Sequence, residues 1–182
     1  MKGSELLLLI SKARNCFDQG LALNNQTKII EALEIGLEIR RFLDSADSET
    51  LERLASEIDQ FRHLDGGLNS FIYNCMKLTG KFEDMLPYLE KTVQYLQNDQ
   101  NPDLWRQLGL LYMVQKQDLD KACEAWKRAI NLDNTLVGKF PGLNVVYVYD
   151  AMKSQGKDVT YKIIYADLES GDFSVELSAN GN

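Results

Sequence analysis

The sequence predicts an all-α protein of about eight or nine helices packed as antiparallel pairs. Three observations indicate this fold class. Apolar residues recur at intervals of three and four along almost the whole chain, which places them on one face of a helix. The 182 residues include only 3 prolines, so few helices are interrupted. The breaks between periodic segments are short and fall at Gly, Asn, Asp and Ser, as is typical of connections between neighbouring helices.

The first 65 residues are predicted to form three helices. These helices cover about 4–18, 27–43 and 48–64. Ser4 is a suitable N-cap for the first helix, and Gly20 lies just beyond its end. The third helix carries a regular apolar stripe, and Asp65, Gly66 and Gly67 are predicted to end it.

A run of leucines near the N-terminus needs a separate interpretation. The run Leu6–Ile10 follows Lys2 and superficially resembles the core of a signal peptide. Five apolar residues between Glu5 and Ser11 are too few for such a core or for a membrane span. We interpret the run as the buried side of the first helix.

Shorter helices are predicted after residue 66. They cover about 68–79, 83–97, 102–115, 119–131, 142–155 and 158–169. The last two are less regular, because the segment from Val159 to Tyr165 is rich in β-branched and aromatic residues and also permits a strand. A helical stripe from Tyr161 to Leu168 favours the helix. Residues 170–182, rich in Ser, Gly and Asn, are predicted to be a flexible tail.

Charge and cysteine content exclude several classes of protein. The net charge of −7 has the wrong sign for a protein that mainly binds nucleic acid or anionic lipid. Cys16, Cys75 and Cys123 are far apart and form no C-x-x-C motif, so neither a disulfide framework nor a zinc site is indicated. We therefore expect a cytoplasmic protein without membrane insertion, metal or cofactor.

The sequence contains no recognisable catalytic motif. Glycine-rich phosphate loops and nucleophile elbows are absent. The one histidine, His63, is expected near the C-terminal end of the third helix, where the helix dipole favours it. Cys75 and Cys123 lie within predicted helices and are expected to be small buried apolar residues. We expect no enzymatic activity.

One segment carries a specific spacing of large and small residues. The residues that define it are Trp105, Leu108, Gly109, Tyr112, Ala122, Trp126 and Ala129. Gly109 and Ala122 would let two helices cross closely, and Trp126 would pack from the second helix into the first. This pattern over 102–133 resembles a tetratricopeptide repeat. The loop that contains Lys116 is one residue longer than the family spacing and lacks the usual glycine.

Degenerate copies of the same pattern flank this repeat at about 66–99 and 139–170. Both copies keep a turn glycine, Gly80 and Gly156, and lose the small residues at the crossing. The resemblance therefore implies a right-handed α-solenoid over 66–169. Residues 1–65 would be an N-terminal helical segment, either a diverged repeat plus a packing helix or helices outside the repeats.

The resemblance implies a function in protein binding, as an adaptor, scaffold, or chaperone-like assembly factor. Such arrays bind a protein or peptide segment in a concave groove lined by the first helix of each pair. By spacing, the groove residues would be Asn74, Lys77, Arg106, Leu110, Met113, Asp150 and Lys153, together with Val146. Three of them are cations, which favours a partner segment with some acidic residues. Assembly into homo-oligomers is left open by the sequence.

A different class of function stays open beside protein binding. If residues 134–182 formed a small sheet, that region would be the place for an unrecognised active site, and the chain would be an enzyme or a regulatory subunit of one. Helix content, measured by circular dichroism, separates the all-helical fold from a fold with such a sheet.

Overall fold

The computed structural model describes residues 1–95 and 98–180, apart from the side chain of Asn180. The chain divides into two compact units, Met1–Tyr95 and Leu96–Asn182. The first unit is helical, and the second combines helices with a two-stranded antiparallel sheet. None of the helices in the described ranges is long and apolar enough to cross a lipid bilayer.

Five helices form the first unit. They are α1 (Gly3–Ala22), α2 (Gln26–Ser45), α3 (Ser48–Glu57), α4 (Phe61–Thr79) and α5 (Leu86–Val93). The side chain of Asn25 accepts a hydrogen bond from the Lys28 N–H and so begins α2. Gly20 lets α1 and α2 approach closely, since a Cβ atom there would lie 2.5 Å from Cγ1 of Ile29. The α2 helix packs against both α1 and α4.

The prediction of one helix over 48–64 is wrong. The α3 helix ends at Glu57, and the chain turns through Gln60, which has a left-handed φ of 60°. The α4 helix then begins at Phe61 and continues through Gly66 and Gly67, which therefore do not end a helix. Gly66 serves close packing instead, because a Cβ atom there would lie 2.5 Å from Cγ of Tyr95.

The second unit begins with a helix pair. The α6 helix (Pro102–Leu111) starts after Asn101, whose side chain accepts a hydrogen bond from the Asp103 N–H, and it continues as a π-helical turn over Tyr112–Lys116. The α7 helix (Leu119–Leu132) packs against α6. The extra residue of the loop is taken up by the wide π turn, which ends at Gln117 with a φ of 52°.

Shorter elements complete the second unit. They are α8 (Leu136–Lys139), α9 (Val145–Ser154), β1 (Asp158–Asp167) and β2 (Asp172–Asn180), with 3-10 turns over Asn98–Gln100 and Pro141–Asn144. The two strands form one antiparallel hairpin, called the C-terminal hairpin below. The end of the helix predicted over 83–97 and the last two residues of the predicted tail lie outside the described residues.

The C-terminal hairpin corrects two predictions. Residues 158–169 are not a helix, and residues 172–180 of the predicted flexible tail form β2. Val159, Tyr161 and Ile163 alternate with exposed Thr160 and Lys162, as expected of a strand with one buried face. A bulge at Ile164 leaves both Ile164 and Tyr165 exposed. The extra residue at the bulge interrupts the alternation of the strand, and this is why apolar residues from Tyr161 to Leu168 resembled a helical stripe.

The hairpin covers the helix pair and closes the core of the second unit. The ring of Phe173 stacks on Trp126, with 4.3 Å between ring centroids and 13° between the planes. The Tyr161 hydroxyl donates a 3.0 Å hydrogen bond to the carbonyl of Met113. The hairpin therefore stands where the sequence predicted the last repeat helix, and the solenoid stays a prediction.

Candidate protein-binding site

An open apolar pocket of about 310 Å³ lies in the first unit, between α1 and α4. Both helices pack on α2, and the space between them is closed below by Ile39 of α2 and by Ile58, which are 1% and 7% exposed. We call this space the α1–α4 pocket. Its opening is lined by Leu7, whose side chain is 44% exposed.

The α1 wall follows from the helical spacing of the sequence. Leu7, Ile10 and Arg14 are three and four residues apart and line the pocket together. Leu8, the neighbour of Leu7, is 71% exposed and is not part of the lining. Only about half of a helix circumference can face a core, so five consecutive apolar residues leave some exposed. Interpreting the run Leu6–Ile10 as a buried side was therefore wrong for Leu7 and Leu8.

The α4 wall is a second apolar stripe. Leu64, Leu68 and Phe71 recur at intervals of four and three and all line the pocket. At one end, Phe71 contacts Phe17 of α1, with ring centroids 5.4 Å apart. Gly67, between the stripe residues, contributes no side chain and widens the pocket. These residues were not identified from the sequence, because a helix was predicted to end at Gly66 and Gly67.

Contacts at the start of α1 fix the position of α3 beside the pocket. The N–H of Gly3 donates a 2.6 Å hydrogen bond to Glu57 Oε2, and the guanidinium of Arg53 donates to the carbonyl of Met1. These bonds hold α3 against α1 and place Ile58 at the base of the pocket.

Polar side chains also line the pocket among the apolar ones, namely Arg14, Asp59, Gln60 and His63. Arg14 is exposed and makes no ion pair with any described residue. Asp59 and His63 lie at the α3–α4 corner. Nε2 of His63 accepts a 3.3 Å hydrogen bond from Arg62 Nε. His63 lies in the first turn of α4, so its expected place at a helix C-terminus is wrong.

Two of the predicted groove residues belong to the first unit. Asn74 is exposed on α4, one helical turn beyond Phe71 and thus close in direction to the pocket stripe. Lys77 is half-buried in the last turn of α4, where a cation interacts favourably with the helix dipole. Neither residue lines the α1–α4 pocket.

Three predicted groove residues of the second unit are not open to a partner. Arg106 is 4% exposed, and Leu110 and Met113 are fully buried. The C-terminal hairpin covers them: the Nη1 group of Arg106 donates to the carbonyls of Ser170 and Gly171, at 3.0 and 2.6 Å. The prediction that these three residues line an open groove is wrong, and the same holds for Val146, which is 2% exposed.

Arg106 is held from other directions as well. Its guanidinium lies 3.8 Å from the ring centroid of Phe140, and its Nε lies 3.4 Å from a carboxylate oxygen of Asp103. Gly171 must be a glycine here, since its φ is +75° and a Cβ atom would lie 2.6 Å from Nε2 of Gln107. These contacts make Arg106 a structural anchor of the hairpin.

The last two predicted groove residues lie on α9 and contact α7. Lys127 Nζ lies 2.6 Å from a carboxylate oxygen of Asp150, and Lys153 Nζ lies 3.4 Å from Asp120. All four side chains are substantially exposed, so these ion pairs contribute little to stability. Lys153 also lies over the ring of Tyr149.

The residues of the repeat pattern lie between α6 and α7. Leu108, Ala122, Trp126 and Ala129 are between 0% and 3% exposed, and Trp105 and Tyr112 are partly buried. The Trp126 Nε1 group donates a 3.1 Å hydrogen bond to the carbonyl of Arg106, across the crossing of the two helices.

The three cysteines are buried side chains that pack in the core. All three cysteines are free and buried, and desolvation raises the pKa of Cys75 and of Cys123 to about 12. Within the described part of the chain, no three His, Cys, Asp or Glu side chains come together as metal ligands.

The C-terminal region contains the small sheet on which the alternative function depended. Its most perturbed titratable group is Tyr165, whose hydroxyl donates to the Asp172 carboxylate and whose pKa is raised to about 12 mainly by that bond. Tyr165 is exposed and Asp172 is partly exposed. An active site in residues 134–182 stays a prediction.

Comparisons with known proteins give no relative for this chain. No protein-family model, no curated protein and no solved structure matches it.

Proposed function

We propose that the chain is a protein-binding module related to the tetratricopeptide repeats, which acts as an adaptor, scaffold or assembly factor. It takes up an apolar segment of a partner protein in the α1–α4 pocket. The single observation that supports this proposal is the pocket itself, with apolar walls from two helices and an exposed leucine at its opening. Contiguous exposed apolar surface is typical of interaction sites.

The shape of the pocket favours a protein segment over a small molecule. Its volume of about 310 Å³ is at the lower limit of sites that enclose drug-sized ligands. It lies open between two helices, an arrangement that suits an amphipathic helix inserting side chains at intervals of three and four. Arg14, an exposed cation without an ion pair among the described residues, favours an acidic residue next to the inserted side chains.

The repeat assignment is supported by the α6–α7 pair. Gly109 is the small residue at the crossing, and Trp126 packs beside it. Gly80 ends α4 in a left-handed conformation, with a φ of 69°, at the turn position that the repeat pattern reserves for glycine. The proposal assigns the binding of a partner to the first unit and does not include a catalytic step.

The test uses two neighbouring leucines as a matched pair. Leu7→Asp places a carboxylate in the pocket opening, whereas Leu8→Asp changes a more exposed leucine that does not line the pocket. Proteins are captured from native lysate on the wild-type chain and both variants and identified. A synthetic peptide of the captured segment is then titrated against each.

We expect Leu7→Asp to weaken peptide binding at least about tenfold, because an unpaired charge is placed against an apolar ligand. Leu8→Asp should leave the affinity within about twofold. Arg14→Glu should weaken the binding of a peptide with acidic residues and reduce its salt dependence. Equal affinity of the wild type and Leu7→Asp would contradict the proposal.

A further inference from the structure

A second surface, in the C-terminal unit, lies along the edge of β2 that faces away from β1, beyond Phe173, where the turn Pro141–Asn144 covers this edge. A cleft of about 460 Å³ is lined by Phe173, Val175 and Leu177, which point to the buried face of the hairpin, and by Ser174, which points to the exposed face. One cleft can contact side chains of both faces only at the edge of a strand. Val145 and Val148 of α9 form its opposite wall.

The backbone groups along this edge can be assigned from the register. Thr160 pairs with Ser178, and Thr160 Oγ1 donates a 3.3 Å hydrogen bond to the Ser178 carbonyl, which therefore faces β1. Since backbone groups alternate in direction along a strand, the N–H and C=O groups of Val175 and Leu177 point away from β1 and into the cleft. Among residues 98–180, no group outside the ladder accepts a hydrogen bond from the N–H of Val175 or of Leu177.

Unpaired strand edges next to a helix bind extended peptides as an additional strand. The backbone of such a peptide would satisfy the edge groups of Val175 and Leu177, and every second side chain would contact α9. Val148, 47% exposed, and Val145 offer an apolar surface for those side chains. The remaining side chains of the peptide would lie on the exposed face of the sheet.

Acidic residues outnumber basic ones on the exposed face of the hairpin. Asp172 lies opposite Asp167 in the register, and Glu176 lies further along β2. Lys162 is paired with Glu176 in the register, and Asp167 and Asp172 have no lysine or arginine opposite them. A strand added at this edge would therefore be favoured by lysine or arginine at its outward positions.

We propose that the free edge of β2 binds an extended segment of a partner protein as a third strand, with apolar side chains towards α9 and basic side chains on the exposed face. This surface and its ligand differ from those of the α1–α4 pocket, where an amphipathic helix is expected. Failure of either proposal leaves the other unaffected.

The probe is a library of displayed random ten-residue peptides selected on the full-length chain. Enriched peptides are synthesised and titrated against the wild type, Val148→Glu and Tyr147→Glu. Val148 lines the cleft, whereas the neighbouring Tyr147, 55% exposed, does not, so the pair is matched in helix and exposure. Amide hydrogen exchange of the chain is measured with and without peptide.

We expect enriched peptides to alternate apolar and basic residues. Val148→Glu should weaken their binding at least about tenfold, and Tyr147→Glu by less than about twofold. The N–H groups of Val175 and Leu177 should gain protection from exchange, while those of Glu176 and Ser178, already in the ladder, should change little.

Three outcomes would overturn the proposal. One is that the enriched peptides have apolar residues at helical spacing, or that they bind Val148→Glu as tightly as the wild type. Another is binding without added protection at Val175 and Leu177. The third is concentration-dependent self-association of the chain that Val148→Glu abolishes, which would assign the edge to a second copy. Melting temperatures of both variants close to that of the wild type would establish that folding is not the cause of lost binding.

Discussion

The indole of Trp126 occupies the space where a side chain on residue 109 would begin. A Cβ atom on Gly109 would lie 2.5 Å from Cδ1 of Trp126, and the indole N–H donates to the carbonyl of Arg106, three residues earlier in α6. The two helices therefore approach as closely as the absence of one side chain allows. The stability of the second unit should depend on both residues.

Gly109→Ala should destabilise the protein. The added methyl group would collide with the ring of Trp126. This ring is fully buried and stacked on Phe173, so it cannot move away without disturbing its neighbours. We expect a loss of about 1–3 kcal/mol in the free energy of unfolding, measured by denaturant titration. The matched control is Gly138→Ala in α8, where a Cβ atom would meet nothing within 4 Å. An equal effect of both substitutions would show that the close crossing is not what Gly109 provides.

Trp126→Ala removes the largest fully buried side chain of the second unit. The cavity and the lost hydrogen bond should cost about 3–5 kcal/mol. Denaturation followed by far-UV circular dichroism checks this value. Tyr147→Ala, at a 55% exposed position, should change the free energy by less than about 0.5 kcal/mol. A negligible effect of Trp126→Ala would contradict the packing of α6 and α7 around this ring.

Arg106→Glu should destabilise the protein instead of selectively removing partner binding, as an open groove would imply. A buried carboxylate would face the carbonyl oxygens of Ser170 and Gly171, and these carbonyls would lose the guanidinium group that donates hydrogen bonds to them. We expect a loss of at least about 3 kcal/mol. Amide exchange of β1 and β2 should rise as the hairpin detaches. An unchanged melting temperature would contradict the anchoring role, and Arg128→Glu, at an exposed arginine, is the control.

The thiols of Cys75 and Cys123 predict a loss of stability at alkaline pH. Burial raises their pKa to about 12, whereas thiols in an unfolded chain titrate near 8.5. The folded state therefore retains protons that the unfolded state has lost, and the stability is complete below about pH 8.5 and decreases as the pH rises towards 12. The slope should reach at most about 1.4 kcal/mol per pH unit for each thiol.

Urea denaturation between pH 8 and 10.5 measures this slope. Replacing Cys75 and Cys123 together by alanine should flatten the pH dependence, although it lowers the stability at neutral pH. Rapid modification of these two thiols by a thiol reagent in the native protein at pH 8 would contradict their burial.

Much of the helical fold could be predicted from the sequence, because its signals are local. Asn101 followed by Pro102 indicated the start of α6, and the helix predicted over 119–131 matches α7 to within a residue. The packing of Trp126 against Gly109 could be predicted as well, because a large side chain fits where the facing helix has none. In these cases the physical cause lies within one helix or one pair of neighbouring helices.

The candidate pocket could have been found only in part. The five apolar residues from Leu6 to Ile10 exceed what one helix face can bury, and this excess was a signal of an exposed apolar surface. The α4 wall gave no such signal, since Gly66 and Gly67 have the composition of a helix end. The ring of Tyr95, which is distant in sequence, packs against Gly66 inside α4, and local composition does not reveal this contact.

The sequence by itself determined the helical character of the chain, its acidic charge and the pairing of α6 with α7. The tertiary structure alone decided the state of residues 158–180, where the helical and strand patterns compete within one segment. The strand prevails because Phe173 stacks on Trp126 of α7 and Tyr161 donates to the carbonyl of Met113 in the π-helical turn after α6, and both contacts join residues dozens of positions apart. The same long-range contacts bury Arg106, which local spacing had placed in an open groove.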